Sequence, residues 1–192
     1  MTTRSTLRIG LFALALALLG TGGCGAAGGG DNGGAHPDYK RALAGSPPPL
    51  AALHAQANEL LPGGSDAYEK RIAELRGYPI VVNIWASWCG PCRYEFPMLQ
   101  ELSARYGKRV AFIGVDAEDD SDSAQGFLAE EPVPYPSYSD PDKEIYDSLD
   151  GYGFPNTAFY DREGELVFLK KGQYADHAAF AADVRRYALE SG

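Results

Sequence analysis

The sequence predicts a single α/β domain with a two-cysteine site at the end of a buried strand. Residues 80–86 are apolar apart from Asn83, which is typical of a central parallel strand covered on both faces. Cys89 and Cys92 follow at once, and a helical spacing of apolar residues begins directly after them. A second apolar strand over 110–116 completes a right-handed parallel unit. We therefore expect the cysteines at the carboxyl end of the first strand, where open α/β sheets carry their chemistry.

Length and composition limit the possibilities further. A chain of 192 residues with 45% hydrophobic content supports one core of ordinary size. The formal charge of −9 argues against nucleic acid or anionic lipid surfaces as partners. Its three cysteines fit one redox pair and one cysteine with a separate role. No metal site is expected, because His36, His54 and His177 stand singly, without ligand spacing.

Residues 1–23 have the features of a secretory signal. Arg4 and Arg8 form a positive start, and the apolar run 9–19 is shorter than the roughly 20 residues of a membrane-spanning helix. Small residues then lead to a cysteine, and no acidic residue precedes Asp31. Export is the expected consequence.

Cys24 lies where a bacterial lipoprotein carries its lipid-modified cysteine. The preceding residues resemble a lipobox, although Thr21 stands where an aliphatic residue is usual, so ordinary signal cleavage after Ala27 remains the alternative. Residues 24–49 are rich in Gly, Ala, Asp and Pro, which predicts a flexible tether. The folded domain is then expected over 50–192.

Apolar periodicity and breaking residues predict the remaining elements. The expected helices cover 50–61, a stretch from Ser65, the stretch after Cys92, 123–130, 140–149 and 176–189. A hairpin of strands 157–160 and 165–170 precedes the last helix. No internal repeat is present.

The spacing of the cysteine pair has a chemical reason. Cysteines at i and i+3 in a first helical turn can close a small disulfide ring or present two thiols. The unpaired N–H groups and positive dipole end of the helix stabilise a thiolate at Cys89, with cysteine pKa values of roughly 3.5–7.5 at such sites. Pro91 is tolerated in the first turn, and Gly90 permits close approach of another backbone. These features predict a dithiol–disulfide active site.

The run Trp85-Ala86-Ser87-Trp88-Cys89-Gly90-Pro91-Cys92 resembles a thioredoxin active site. The longer pattern Cys89-x-x-Cys92-x-x-Glu95-Phe96-Pro97 is similar to the TlpA/ResA/DsbE branch, extracytoplasmic thiol–disulfide oxidoreductases tethered to the membrane. The resemblance implies a thioredoxin fold, a three-layer structure with a mixed central sheet flanked by helices. Residues 117–154 then correspond to the TlpA-like central insertion, an extra strand and helix near the active site.

The resemblance also implies the substrate-binding residues. Pro155 corresponds to the family's cis-proline, and the backbone at Phe154 is then expected beside the disulfide, where a substrate chain pairs as a strand. Trp88, Gly90 and Pro91 are expected to form the opposite side of this contact.

Glu95 is the expected proton carrier. Thioredoxin has a buried aspartate on its central strand, and Asn83 occupies that position here and cannot titrate. In the ResA-like proteins a glutamate three residues after the second cysteine is proposed to handle protons. Glu95 matches it, and burial would raise its pKa and suit it to accept a proton from Cys92. A solvated helix residue is the alternative.

The implied activity is thiol–disulfide exchange, with no cofactor beyond the redox-active pair. The expected partners are exported cysteine-containing proteins, such as apocytochrome c, and a membrane thiol–disulfide electron-transfer protein. The expected place is the extracytoplasmic face of a bacterial cell membrane, with a lipid anchor at Cys24, or a soluble secreted or periplasmic form.

The direction of electron flow is open in the sequence. The Gly-Pro dipeptide is that of thioredoxin, a reductant at about −270 mV, and favours a reductase. A disulfide-forming oxidant and a non-catalytic thioredoxin-like binding lipoprotein are the alternatives. A peroxide-reducing enzyme would need a Pro-x-x-x-Thr/Ser-x-x-Cys context, which the sequence lacks.

Overall fold

A six-stranded sheet organises residues 36–190, the part of the chain described by the computed structural model of this protein. The strands are β1 (Leu60–Leu61), β2 (Ile80–Trp85), β3 (Ala111–Ala117), β4 (Ser137–Asp140), β5 (Asn156–Tyr160) and β6 (Leu166–Lys171). Their spatial order is β1-β4-β3-β2-β5-β6. The pairs from β1 to β2 are parallel, and β5 is antiparallel to both β2 and β6. The predicted mixed central sheet is confirmed.

Helices cover both faces of the sheet. They are α1 (Tyr39–Ala42), α2 (Pro48–His54), α3 (Gly64–Glu74), α4 (Gly90–Tyr106), α5 (Ser121–Glu130), α6 (Glu144–Ser148) and α7 (His177–Asp183), and α7 continues as a π-helical segment, Val184–Leu189. Buried residues of α4, α5 and α7 pack with alternate residues of β2, such as Val81 and Trp85. Those of α2, α3 and α6 pack with Val82 and Ile84 on the other face. The three-layer thioredoxin-like prediction is confirmed.

Strand β2 ends between two neighbours that matter for the site. Trp85 lies opposite Asp116 of β3, and Ile84 lies opposite Asn156 of β5. The chain that leaves β2 toward α4 therefore passes between the end of β3 and Pro155, which immediately precedes β5. This places the cysteine pair at the carboxyl end of the parallel strands.

The domain begins earlier than the predicted boundary at residue 50. Residues 39–49, assigned by composition to the tether 24–49, contain α1 and the start of α2. Leu43 is buried, and the Tyr39 hydroxyl donates to the carbonyl of Pro132 at 3.0 Å. A few apolar anchors hold this stretch on the domain, and average composition does not reveal them.

The predicted helix 50–61 is wrong in its second half. Helix α2 ends at His54, and Leu60–Leu61 forms the short edge strand β1. Asn58 has a φ of 64°, donates its backbone N–H to Tyr135 O and exchanges side-chain hydrogen bonds with Leu128 O and Val133 N. These long-range bonds outweigh the local helical pattern.

Residues 117–154 contribute α5, β4 and α6, and so include the extra helix and strand expected of the insertion. Within residues 36–190, no helix combines the length and apolar character that crossing a membrane requires. The predicted signal 1–23 and Cys24 lie outside the described residues.

Candidate active site

Cys89 and Cys92 form a disulfide at the N-terminus of α4. Cys89 is the N-cap residue, and its Sγ accepts the backbone N–H of Cys92 at 3.1 Å. Cys89 is 3% exposed, whereas Cys92 is fully buried. The first sulfur thus has a hydrogen-bond donor and the positive end of a 17-residue helix beside it, and both stabilise a thiolate after reduction.

An aromatic contact spans the site. Trp88 is 58% exposed, and its indole packs edge-to-face on half-buried Phe154 with ring centroids 5.3 Å apart. Trp88 Nε1 donates to the carbonyl of Glu118 at 3.0 Å, which orients the ring. The predicted cis peptide between Phe154 and Pro155 is present. Trp88 and Phe154 thus form an accessible apolar surface next to the cysteines.

Gly90 and Pro91 form the first turn of α4 and are exposed. A Cβ placed on Gly90 would meet no atom within 4 Å among the described residues. Packing within the domain therefore does not require glycine there, and the position is open to an approaching chain.

The segment between β2 and Cys89 is held from two sides. Ser87 donates its backbone N–H to Asp119 Oδ2 at 2.5 Å, and its carbonyl accepts from Arg93 Nε at 3.1 Å. Arg93 also pairs with Glu130 at 3.1 Å and lies over the ring of Phe127. These contacts hold the backbone of Ser87 in place just before Cys89, the N-cap residue of α4.

Glu95 lies one turn after the cysteines, with 0% of its side chain exposed. Its Oε1 accepts the backbone N–H of Tyr174 at 2.5 Å, while Oε2 has no hydrogen-bond partner within residues 36–190. Burial raises the pKa of Glu95 to about 7, and the Tyr174 amide and the charge of Lys170 oppose that rise. A carboxyl of this kind exchanges protons near neutral pH. The alternative of a solvated helix residue is wrong.

Asn83 is buried on β2, on the same side as Val81 and Trp85. Neither of its side-chain polar atoms has a hydrogen-bond partner among the described residues. Its amide occupies a core position without the ability to titrate.

Asp116 is a buried acid at the carboxyl end of β3, where the sequence pattern predicts only the end of a strand. It is 1% exposed, and neither of its oxygens has a hydrogen-bond partner of good geometry within residues 36–190. Burial, then the charge and hydrogen bonding of Asp119, raise its pKa to about 8, with smaller effects of Asp120 and Asp140. An acid at the carboxyl end of an apolar parallel strand was the available signal.

The structure therefore places the predicted residues in two groups. Cys89 caps helix α4, which contains Cys92 and Glu95, and Trp88 contacts Phe154 across the end of the sheet. Among the described residues no group of three or more His, Cys, Asp and Glu side chains is arranged to hold a metal ion.

Comparison with known proteins is consistent with this site. The chain is 41% identical over 95 residues to the thiol:disulfide interchange protein DsbE of Pseudomonas fluorescens biotype C, covering 49% of this chain and 52% of that protein. It is 38% identical over 123 residues to the thiol:disulfide interchange protein HelX of Rhodobacter capsulatus, covering 63% of this chain and 68% of that protein. The chain thus spans about half to two thirds of the length of these curated relatives.

A solved structure has the same fold. A Chlorobium tepidum protein assigned as a thiol:disulfide interchange protein DsbE superposes with a TM-score of 0.57 and 27% identity, over 60% of this chain and 84% of that chain. The sequence profile of the Redoxin family matches residues 43–184, which is most of the domain. On that match the protein belongs to the Redoxin family and, as the residues around Cys89 predict, to its TlpA/ResA/DsbE-like branch of thioredoxin-fold proteins.

Proposed function

We propose that this protein is an extracytoplasmic thiol–disulfide oxidoreductase that reduces disulfides of exported proteins, such as apocytochrome c, through Cys89 and Cys92. The observation that carries the proposal is the disulfide at the N-terminus of α4, with Glu95 buried one turn further along the same helix. The names of the relatives support exchange chemistry. The reducing direction rests on the Gly-Pro dipeptide, which is that of a strong reductant.

The cycle starts from the dithiol. The Cys89 thiolate attacks one sulfur of a partner disulfide, a mixed disulfide forms, and the other partner sulfur leaves as a thiolate. Cys92 then transfers its proton to Glu95, and its thiolate attacks Cys89 Sγ and releases the second partner thiolate. The partner gains two electrons and the Cys89–Cys92 pair loses two. A dithiol donor protein in the membrane returns the pair to the reduced state.

The surface beside Cys89 suits a protein substrate. Trp88 and Phe154 offer an apolar surface, and Gly90 leaves space above the helix start. A partner chain lying across Phe154 and Pro155 brings its disulfide to Cys89.

A disulfide-exchange assay and a mixed-disulfide trapping experiment, both with the full chain, test this proposal. The protein is expected to accelerate the reduction of a small disulfide by dithiothreitol above the uncatalysed rate, and this acceleration is expected to be lost in Cys89→Ser, because the nucleophile is removed. Cys92→Ser is expected to accumulate a mixed disulfide when its Cys89 thiolate attacks a disulfide-containing partner peptide, since the resolving sulfur is absent. Cys24→Ser, which changes the cysteine outside the pair, is the matched control and retains turnover.

Two outcomes would contradict the proposal. Turnover that survives Cys89→Ser would exclude this mechanism, and no turnover by the unaltered chain would favour the binding lipoprotein. Redox titration of the pair tests the direction, since a potential above roughly −150 mV would indicate an oxidant.

The proposed location is the outer face of the cell membrane, with lipid attached at Cys24. Fractionation of cells that express the full chain tests it. The unaltered chain is expected with the membranes and Cys24→Ser in the soluble fraction, and an equal distribution of both would contradict lipid attachment.

A further inference from the structure

Lys170 sits at the end of β6 and binds the chain that follows it. Its half-buried ammonium donates to three successive backbone carbonyls, those of Lys171 at 2.8 Å, Gly172 at 2.8 Å and Gln173 at 3.4 Å. An ammonium group has three donors, so these contacts use its full capacity. Lys170 therefore shapes the segment 172–174 that follows β6, which we call the Lys170 loop.

The Lys170 loop contacts two parts of the site. The backbone N–H of Gly172 donates to the carbonyl of Pro155 at 2.9 Å. Two residues later, the N–H of Tyr174 donates to Glu95 Oε1 at 2.5 Å. One short segment thus holds both the proton-carrying carboxyl and the residue beside the aromatic surface.

The side chain of Tyr174 anchors the far end of this loop. Its ring stacks on Phe180 with centroids 4.2 Å apart, and its hydroxyl donates to Asp183 Oδ2 at 2.9 Å. Lys170 Nζ lies 5.2 Å from the centroid of the same ring. The Tyr174 amide is therefore held at Glu95 by side-chain packing on one side and by Lys170 on the other.

The charges around Glu95 give Lys170 a second effect. On the α4 side the oxidised cysteine pair carries no charge, and from the Lys170 loop Tyr174 donates its backbone N–H to Glu95 and has a neutral phenol. Asp183 of α7 meets the phenol, whose pKa is raised by burial, by Asp183 and by Glu95. Among the described residues, the positive charge that acts on Glu95 is that of Lys170.

We propose that Lys170 is a positioning residue for Glu95, since it holds the loop that carries the Tyr174 amide and supplies the positive charge that favours the Glu95 carboxylate. This inference rests on the proposed function, in which Glu95 accepts the proton of Cys92. The consequence concerns pH, because only the carboxylate form can accept that proton. Lys170 thereby keeps Glu95 in its accepting form near neutral pH.

The test compares Lys170→Met, which removes the charge and the donors, with Lys170→Gln, which removes the charge and retains a polar donor. The titration of the Glu95 carboxyl carbon is followed by NMR in the oxidised full chain and assigned with Glu95→Gln. Both variants are expected to move the midpoint to higher pH, by on the order of one pH unit for loss of a nearby opposite charge. Lys170→Arg is expected to restore the midpoint.

The exchange rate gives a second readout. Since a higher midpoint lowers the carboxylate fraction, Lys170→Met is expected to lower the exchange rate about fivefold at pH 7 and to recover most of it at pH 9. Loss of structure alone would lower the rate equally at both values. Lys171→Met is the matched control, because that neighbouring lysine pairs with Asp150 at 2.8 Å, and it is expected to shift neither readout.

The inference is overturned if the Glu95 midpoint in Lys170→Gln equals that of the unaltered chain, or if Lys171→Met shifts it as much. The proposed function can fail separately. If Glu95→Gln leaves exchange unchanged, Glu95 is not the proton acceptor, while the titration still tests whether Lys170 acts on it.

Discussion

Glu95 on α4 and Asp116 at the end of β3 are both buried carboxyl groups, but their surroundings differ. Burial is the largest cause of the raised pKa in each, which reaches about 7 for Glu95 and about 8 for Asp116. Around Glu95, a backbone N–H and Lys170 favour the charged form. Around Asp116, three further aspartates oppose it.

The difference suits Glu95 to its proposed role of accepting and releasing a proton, whereas Asp116 is favoured in its neutral form. Glu95 shares its helix with Cys92 and has opposing influences that leave it ready to gain or lose a proton near pH 7. Burial and the neighbouring aspartates all favour the neutral form of Asp116, and the carboxylate of Asp119 accepts a hydrogen bond from the backbone N–H of Ser87. Burial alone therefore does not identify the catalytic acid or base, and the charged neighbours decide the role.

The largest expected effect is on stability and concerns Asp116. In the unfolded chain this carboxyl loses its proton near pH 4, whereas the folded state keeps it to about pH 8. The folded state therefore binds more protons in this window, and native stability falls as the pH rises through it. The amide in Asp116→Asn does not titrate. The difference in unfolding free energy between this variant and the unaltered chain is therefore expected to grow in favour of the variant by about 4 kcal/mol from pH 5 to pH 8.5.

Urea unfolding at both pH values measures this gain. The exposed residue Asp142 offers a matched control, since Asp142→Asn makes the same charge change without burial and is expected to show a difference that does not vary with pH. If the difference in unfolding free energy between Asp116→Asn and the unaltered chain were also independent of pH, Asp116 would have to be ionised in the folded state.

The next effect is on catalysis and concerns Glu95. Glu95→Gln keeps an acceptor for the Tyr174 amide but cannot take a proton, so resolution of the mixed disulfide is expected to slow about 100-fold, or about 2.7 kcal/mol. The rise of the rate with pH near 7 should disappear as well. Stopped-flow measurement of partner release from a preformed mixed disulfide follows this step.

Two variants sharpen the comparison at that step. Glu101→Gln changes an exposed glutamate of the same helix that pairs with His177, and it is expected to leave the rate unchanged. Asp116→Asn should change the rate less than about threefold. If Asp116→Asn slowed resolution as much as Glu95→Gln, the assignment of proton transfer to Glu95 would have to be revised.

The smallest expected effect tests the acidic surroundings of Asp116. Asp119→Asn retains an oxygen for the Ser87 amide but removes a negative charge, so the titration midpoint of Asp116 should fall by about 0.5 to 1 pH unit. Carboxyl-carbon NMR reports it. Asp122→Asn, an exposed change at the start of α5, is expected to move the midpoint much less, and equal shifts would mean that Asp119 has no specific influence.

Local patterns predicted the elements that determine the site. The apolar run of β2, the Cys89–Cys92 spacing and the periodicity of α4 each depend on residues close in sequence. Predictions failed where distant contacts decide, as at Asn58, whose bonds to Leu128, Val133 and Tyr135 end a helical pattern. The predicted start of the domain at residue 50 was wrong for the same reason, because a hydrogen bond from the Tyr39 hydroxyl to the distant carbonyl of Pro132 holds the earlier residues on the domain.

The sequence by itself determined the chemistry available to this protein: a cysteine pair at a helix start, a glutamate three residues later and no titratable group at Asn83. Only the tertiary structure decided how that chemistry is tuned. It buries Glu95 beneath the Tyr174 amide, where the charge of Lys170 acts on it, and it surrounds Asp116 with acids from two parts of the chain, Asp119 and Asp120 after β3 and Asp140 at the end of β4. Proton affinity depends on burial and on charges brought close by folding, and sequence spacing does not encode those distances.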